Sequence, residues 1–347
     1  MSRHVRLSSG FLLGILTLQV CVHPAHGQEA RFETEVNLVL SHVEVRDAGS
    51  FVGGLAKDNF VVDDEGVERT LTLLRHGVAG LDVVLLLDEG AARTPMGHSV
   101  MEALEAAVES LWDGDRAALV TFGSRTVVVV PFTDDPRALR LGVRAVKRRS
   151  HRKVPTGKPF DALRFAARQF PAIDPSLGRR RAILILTAND HKPDPKQEKR
   201  VSAELLAAGI TVHAILVERF DFRRGYHSWG VLALPVEMHP VPGGPEKVRV
   251  GHEKTVPSGW VPRPDREAID PTVAATGGDV IREGVPMGEA IETALTRLRS
   301  SYLIGFHGAS ASGKPEFRRI RVTLSPGAEQ RHPGAIVRHR DGYYTPK

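Results

Sequence analysis

The pattern of apolar and polar residues differs between the start and the middle of the chain. Between residues 34 and 46, apolar residues alternate with polar ones, which is typical of strands that bury one face, and residues 61–67 have the pattern of a strand, a tight turn and a second strand. The alternation slips by one position near His42, so we predict a strand with a β-bulge there. We therefore expect the N-terminal part to be β-rich.

From residue 81 onward, continuous apolar runs alternate with stretches that have helical spacing. The runs occupy residues 83–87, 117–122, 182–187 and 210–217. Runs of this length are typical of strands that are buried on both faces of a parallel sheet. Between them, residues such as Met101, Leu104 and Val108 recur at helical spacing. Repeated strand–helix units predict an α/β fold with a doubly wound, mostly parallel sheet and helices on both faces.

Two parts of the chain depart from this strand–helix pattern. A β pattern returns in residues 301–347, so we expect these residues and residues 28–78 to form a small β-rich flanking domain from both chain ends. The α/β domain is predicted to span residues 79–300. Within it, residues 219–268 are rich in proline and follow no stable period, which favours a long, largely disordered loop.

Residues 1–27 have the pattern of a secretory signal peptide. Arg3 and Arg6 precede the apolar run 11–22, and small residues stand near Gly27, where we predict cleavage. The mature protein is then secreted or periplasmic and, because Cys21 is the only cysteine, free of disulfides. No later stretch is apolar enough to predict a transmembrane segment. An uncleaved membrane anchor is the alternative interpretation of the same residues.

Composition narrows the function classes. Charged residues make up 25% and apolar residues 41% of the 347 residues, which is typical of a globular protein and unlike a polytopic membrane protein. Aromatic residues make up 6%, too few for a wide base-stacking surface, so a nucleic-acid partner is not expected despite the net charge of +6. No dinucleotide, phosphate-loop or H-E-x-x-H motif is present. We therefore expect no enzyme activity, no catalytic residues and no cofactor.

Ligands of an open parallel sheet bind where loops leave the carboxyl ends of the strands. Three such loops are predicted, at residues 88–92, 155–162 and 187–190. The order of elements, Asp88 at the end of the first buried strand, and the sequence Thr276-Gly277-Gly278 together resemble the von Willebrand factor type A fold. Residues 43–47, 54–60, 298–306 and 338–344 are similar to conserved blocks of a bacterial, acidobacterial-type group of proteins related to that family.

The resemblance implies a metal-ion-dependent adhesion site with a D-x-S-x-S first loop, a threonine in the second loop and an aspartate in the third. This chain keeps Asp88, but Gly90 and Ala92 replace the two serines and Ala188 replaces the third-loop aspartate. Thr156 lies one place early in the second loop. Since hard divalent cations need several converging oxygen ligands, we predict a degenerate site with no tightly bound metal ion.

The resemblance and the loops together predict an exported, non-catalytic binding or adhesion-type protein whose partner is an unidentified protein or an anionic surface. The candidate ligand-binding residues are Asp88, Glu89, Gly90, Thr156, Lys158 and Asp190. Lys158 either places its ammonium near Asp88, in place of a metal ion, or points to solvent. Two alternatives are an unorthodox divalent-cation site built from Asp88, Glu89, Thr156 and Asp190, and a hydrolase whose site lies in residues 219–268.

Residues 136–160 form a basic stretch with no acidic residue. Its candidate anion-binding residues are Arg144, Lys147, Arg148, Arg149, Arg152 and Lys153. Such a run is either a solvated helix face or a surface that faces an acidic partner beside the second loop.

Overall fold

The computed structural model describes residues 37–77, 80–93, 97–149, 157–172, 179–187, 194–217, 269–281, 286–310 and 313–346. The predictions of a signal peptide at 1–27, a disordered insert at 219–268 and a hydrolase site in that insert all fall outside the described residues. None of the helices in the described part has both the length and the apolar character needed to cross a membrane.

The described residues form strands and helices in an order that starts and ends with strands. The strands are β1 (Leu38–Asp47), β2 (Ser50–Phe51), β3 (Phe60–Asp64), β4 (Val67–Arg69), β5 (Leu71–His76), β6 (Leu81–Asp88), β7 (Arg116–Phe122), β8 (Thr126–Thr133), β9 (Arg180–Thr187), β10 (Ile210–Leu216), β11 (Val280–Ile281), β12 (Tyr302–His307), β13 (Phe317–Leu324), β14 (Ile336–Arg338) and β15 (Gly342–Tyr344). The helices are α1 (Gly97–Glu109), α2 (Pro136–Arg149), α3 (Pro159–Ala167), α4 (Pro195–Ala207), α5 (Asp270–Ala275), α6 (Met287–Arg299) and α7 (Pro326–Arg331). Two 3-10 turns lie at Lys57–Asn59 and Ala91–Arg93.

A six-stranded sheet lies at the centre, in the order β11-β10-β9-β6-β7-β8. All neighbouring strands pair in parallel except β7 and β8, which pair antiparallel at the edge. Leu85 of β6 lies opposite Leu119 on one side and Leu184 on the other. The α/β fold expected from the apolar runs is confirmed.

Helices cover both faces of the central sheet because successive residues of each strand point to opposite sides. Val83, Leu85 and Leu87 belong to one apolar cluster, which includes residues of α1, α2 and α6. Val84 and Leu86 belong to a second cluster, which includes residues of α3, α4 and α5. The continuous apolar run of β6 is thus explained by burial on both sides.

The remaining strands form two antiparallel sheets from both ends of the chain, so the expectation of a mostly parallel sheet applies to the central sheet alone. One sheet has the order β14-β1-β12-β5, with β2 beside β1, and the other has the order β15-β13-β3-β4. Their inner faces share one apolar core that includes Val43, Tyr302, Ile320 and Tyr343. The described residues from 37 onward form one compact unit, so the domain bounds at 78, 79, 300 and 301 stay predictions.

Three local predictions need correction. The register between β1 and β12 continues without a bulge past His42 to Val43; residues 43–45 are all buried because β1 then pairs with β14. Helix α5, which directly precedes Thr276, was not predicted. The short helix α7 was also missed, although Pro326 stands at its start, where proline is favoured.

Candidate functional site

The first candidate loop leaves the carboxyl end of β6. Asp88, the last residue of β6, is 2% exposed. Its Oδ1 accepts a hydrogen bond from the backbone N–H of Gly90 at 2.8 Å, and its Oδ2 accepts one from the hydroxyl of Thr187 at 2.9 Å. Thr187 ends the neighbouring strand β9. Both carboxylate oxygens are therefore engaged inside the protein, where they join two strand ends.

Glu89 links the same loop to the strand on the other side. Its backbone N–H donates to the carbonyl of Phe122 at 2.8 Å, and its Oε1 accepts from the hydroxyl of Thr121 at 3.0 Å. Thr121 is fully buried near the end of β7. The tips of β6, β7 and β9 are thus tied together by two carboxylate–hydroxyl pairs.

The second loop enters the described structure at Gly157. An ideal Cβ at this position would lie 2.6 Å from Cδ2 of Phe122 and 3.0 Å from the backbone of Gly123, so only glycine fits here. Lys158 follows as the N-cap of α3 and is exposed. Among the contacts of the described residues, Lys158 forms no ion pair with Asp88. The tethered-cation and solvent-facing interpretations of Lys158 both stay predictions.

The described oxygen donors at this edge do not fit a divalent cation that needs about six converging ligands. Gly90 has no side-chain oxygen and Ala92 presents a buried methyl group. Both carboxylate oxygens of Asp88 already accept hydrogen bonds from Gly90 and Thr187. The hydroxyl of Thr121 already donates to Glu89. No group of three or more His, Cys, Asp or Glu side chains with metal-binding geometry occurs among the residues that the structure describes.

Three positions of the candidate site lie outside the described residues. They are Thr156, Ala188 and Asp190. The alternative cation site therefore has two described members, Asp88 and Glu89, and its remaining members stay predictions.

The basic stretch is partly described, as helix α2. Leu139, Val143 and Val146 face the core, while the opposite side exposes a row of cations. We call this row the α2 basic face; its exposed members are Arg137, Arg140, Arg144, Lys147 and Arg148. The side chain of Arg149, and Arg152 and Lys153, lie outside the described residues. Leu141, 63% exposed, lies within the row.

Comparison with known families identifies the central α/β part. Residues 82–227 match the model of the von Willebrand factor type A domain. This chain contains a von Willebrand factor type A domain. The match covers the strands β6, β7, β9 and β10 and hence the loops that carry Asp88 and Thr187.

Several solved structures are similar to the chain. An aerotolerance-related membrane protein from Bacteroides fragilis is 18% identical, with a TM-score of 0.42 over 63% of this chain and 98% of that chain. The conserved hypothetical protein BatB from Bacteroides thetaiotaomicron is 16% identical, with a TM-score of 0.42 over the same shares. A von Willebrand factor type A protein from Catenulispora acidiphila is 12% identical, with a TM-score of 0.40 over 89% of this chain and 73% of that chain. No curated protein matches the sequence.

Sequence reasoning missed two residues that organise the edge of the type A domain. Thr121 and Thr187 hold the side chains of Glu89 and Asp88, respectively. A signal was available, because each threonine is a polar residue at the carboxyl end of an otherwise apolar strand. Such a position faces the ligand edge of an open sheet.

Proposed function

We propose that the protein is a non-catalytic binding or adhesion-type protein whose type A domain contacts an acidic partner without an essential metal ion. Type A domains suggest protein interaction, and the proposal extends this to the loops around Asp88 and to the α2 basic face. The main observation behind this proposal is the hydrogen bonding of Asp88: its two carboxylate oxygens accept from the backbone N–H of Gly90 and from the hydroxyl of Thr187. A metal ion would have to displace these donors from a buried carboxylate.

A degenerate adhesion site can still support binding, because contacts among its described residues hold the strand ends in place. The pair Glu89–Thr121 and the close approach of Gly157 to Phe122 keep three strand ends in one arrangement. A rigid surface loses less conformational freedom when it binds a partner. In this proposal, Asp88 is a positioning residue for the loop rather than a ligand.

Titration calorimetry of the full chain with Mg²⁺ and with Mn²⁺ tests the metal-free part of the proposal. We expect no saturable heat from either ion. The matched variant is Asp88→Asn, which keeps the size of the side chain and removes its charge. A saturable heat in the wild type that is absent from folded Asp88→Asn would overturn the proposal and favour the alternative cation site.

The α2 basic face is the second part of the proposal. Its cations have the same sign and lie on one side of a helix whose other side is buried, so they create a local positive potential. Such a surface attracts acidic groups, and the attraction is screened by salt over about 10 Å at 0.1 M. We propose that this face contacts the acidic partner.

Retention on an immobilised anionic polymer tests this face. We expect the full chain to be retained at low salt and released as salt rises. The double variant Arg140→Glu with Arg144→Glu should lose most of this retention. The control, Arg319→Glu with Arg321→Glu, changes the charge equally at exposed positions of β13. Equal loss in both variants would show net charge alone to be responsible and would contradict the proposal.

We further propose that the protein is exported and cleaved after Gly27. The proposal rests on the basic residues before the apolar run at 11–22 and on the small residues that follow it. Mass spectrometry of the protein from its host should find an N-terminus at Gln28 in a non-cytoplasmic fraction. An intact N-terminal segment on the mature protein would contradict cleavage.

A further inference from the structure

A cavity lies at the amino edge of the central sheet, opposite the candidate site. It has a volume of about 40 Å³ and is enclosed by β1, the first residues of β9 and β10, the end of α5 and the segment between β14 and β15. A single buried water needs roughly 10–15 Å³ on this scale, so the cavity has room for a few waters or for one compact anion. It opens toward a larger cleft of about 470 Å³ with which it shares His42 and Arg340.

Three polar side chains in this cavity have nitrogen atoms without a partner. Arg180 is 4% exposed, and its Nη1 donates to the carbonyl of Leu298 at 2.9 Å, while its buried Nε has no acceptor. The buried Nε of Arg340 and the buried Nδ1 of His42 also have no hydrogen-bond partner. Buried polar groups are nearly always paired in folded proteins, so three unpaired nitrogen atoms around one cavity indicate that the cavity binds a ligand with acceptor atoms.

The acidic residues nearby are already paired with other cations. Glu44 of β1 accepts from Arg46 at 3.0 Å. In the larger cleft, Asp82 accepts from Arg116 at 2.8 Å and from Arg179 at 2.7 Å. Among the described residues, none forms an ion pair with the guanidinium of Arg180 or of Arg340. The charge of Glu44 partly offsets that of Arg180, but no described carboxylate pairs directly with either guanidinium, so the cavity keeps an excess of positive charge.

The backbone around Arg340 is held in place by its neighbours. The N–H of Asp341 donates to the carbonyl of Ala275 at 2.8 Å, and His339 Nδ1 lies 2.7 Å from the carbonyl of Arg340. Gly277 packs so closely that an ideal Cβ would lie 2.8 Å from the backbone nitrogen of Arg340. These contacts fix the backbone from which the Arg340 side chain extends toward the cavity.

We propose that this cavity is a binding site for a tetrahedral oxyanion of the phosphate or sulfate class, held by Arg180, Arg340 and His42. Guanidinium groups present several N–H donors in a planar fork, which suits oxyanions. Two such groups and an imidazole, from three separate segments, provide donors from several directions, which a four-oxygen anion uses more fully than a carboxylate does.

The protonation properties of the three groups agree with this proposal. Burial lowers the pKa of Arg180 and of Arg340 to about 10 each. Burial, together with the charges of Arg180 and Arg340, lowers the pKa of His42 well below its usual value. Burial thus disfavours the positive charges at the cavity, and a bound anion would offset that cost. His42 is neutral at neutral pH and can donate one N–H.

The oxyanion has two possible sources, a free inorganic ion or the end group of a larger molecule. The larger cleft is lined by Arg116, Arg179, Arg181 and Arg340 against one carboxylate, Asp82. The cleft is large enough for the rest of a phosphate monoester, and its arginines would attract an anionic ligand. Both sources present the same group to Arg180 and Arg340.

Calorimetry with the full chain tests the proposal, with inorganic phosphate, sulfate and phosphoserine as probes at neutral pH and constant ionic strength. We expect saturable one-to-one binding and a melting temperature that rises with phosphate but not with chloride. Equal affinity for phosphate and phosphoserine assigns the site to the free ion. Tighter binding of phosphoserine than of phosphate would indicate that the larger cleft contacts the rest of the ligand. Both outcomes support the proposed oxyanion site.

Arg340→Gln is the test variant because the guanidinium of Arg340, unlike that of Arg180, donates no described hydrogen bond that the fold would lose, although it lies near Tyr343. Loss of one charge-assisted pair should weaken phosphate binding about 10- to 100-fold. The control Arg319→Gln removes the same charge from an exposed position and should bind like the wild type. Arg340→Lys retains the charge and should bind with intermediate affinity. No saturable binding to the wild type at millimolar phosphate, or equal binding by wild type and Arg340→Gln, would overturn the proposal.

Discussion

Two aspartates at opposite ends of β6 show how the surroundings of a residue decide its role. Asp82 accepts hydrogen bonds from two arginines, Arg116 and Arg179, and these outweigh the effect of burial, so that the pKa of Asp82 is lowered. Asp88 accepts only from neutral donors, a backbone N–H and a threonine hydroxyl. Asp82 therefore links Arg116 and Arg179 by ion pairs at the amino edge of the sheet. Asp88 instead holds the loop at the carboxyl edge in place by neutral hydrogen bonds.

His213 makes the stability of the fold sensitive to acid. It lies in β10, is 1% exposed, and its Nδ1 accepts from the backbone N–H of Asp279 at 3.3 Å. Burial, and then the charges of Arg180, Arg297 and Arg338, lower its pKa to about 3. Between the ordinary histidine pKa of about 6.5 and this value, the unfolded chain binds a proton that the folded chain does not. The free energy of unfolding therefore falls as the pH drops through this window.

Replacing His213 with Asn should flatten this pH dependence. The variant keeps an acceptor for Asp279 and removes the proton uptake of the unfolded state at this position. The slope of unfolding free energy against pH should decrease by up to about 1.4 kcal/mol per pH unit between pH values of about 4 and 6. Urea unfolding at several pH values measures it. His307→Asn, at an exposed position, is the control, and equal slopes for wild type and His213→Asn would refute the prediction.

At the scale of elements, the segment Thr276-Gly277-Gly278 joins α5, β10 and the C-terminal strands. The hydroxyl of Thr276 accepts from the N–H of Val212 at 3.1 Å and lies 3.0 Å from the carbonyl of Thr272. Gly277 has a φ of +76°, which favours glycine, and Gly278 packs directly against the backbone of Val212. The resemblance to the type A fold singled out this segment, and these contacts give the physical reason for its residue types.

Gly278→Ala should strongly destabilise the protein. An ideal Cβ would lie 1.7 Å from the carbonyl oxygen of Val212, so the backbone of β10 or α5 would have to move. We expect a loss of about 3 kcal/mol or more in the free energy of unfolding. Gly288→Ala in α6 is the matched control, because its Cβ would lie 3.5 Å from Cβ of Ala106, an ordinary contact. The control should be neutral or more stable by up to about 1 kcal/mol. Urea unfolding that gave both variants similar stability would contradict the packing seen at Gly278.

At the scale of the whole molecule, the C-terminal strands complete sheets that the N-terminal strands begin. β12 lies between β1 and β5, and β13 lies between β3 and β15. The hydroxyl of Tyr302 donates to the carbonyl of Val52 at 2.7 Å and accepts from the N–H of Leu55 at 3.1 Å. β12 follows α6 directly, so folding of the antiparallel sheets is coupled to packing of the type A domain.

Calorimetric unfolding should therefore show a single transition whose calorimetric and van't Hoff enthalpies agree. Tyr302→Phe removes two buried hydrogen bonds and should lower the stability by about 1–3 kcal/mol, moving the whole transition to lower temperature. Tyr344→Phe is the control, because its hydroxyl has no described hydrogen bond. Two resolved transitions, in the wild type or in Tyr302→Phe, would show that the antiparallel sheets unfold independently.

Most of the fold could be predicted from the sequence, and less of the site. The run Val83–Leu87 predicted a doubly buried strand, because burial on both faces leaves no polar position within the run. The edge residues were harder to predict, since the partner of Asp88 is Thr187, 99 residues away. Lys158 lies in the expected loop, but whether it contacts Asp88 depends on the path of the backbone, which residue spacing does not determine.

The sequence by itself determined where the central strands and the longer helices between them lie, because the period of apolar residues is a local property of each segment. It also determined which loops leave the carboxyl ends of the central strands. Only the tertiary structure decided which polar groups meet. His42, Arg180 and Arg340 come from distant parts of the chain and surround one cavity, because β1 and the segment after β14 both pack at the amino edge of the central sheet. Topology, rather than any local pattern, brings these charges together.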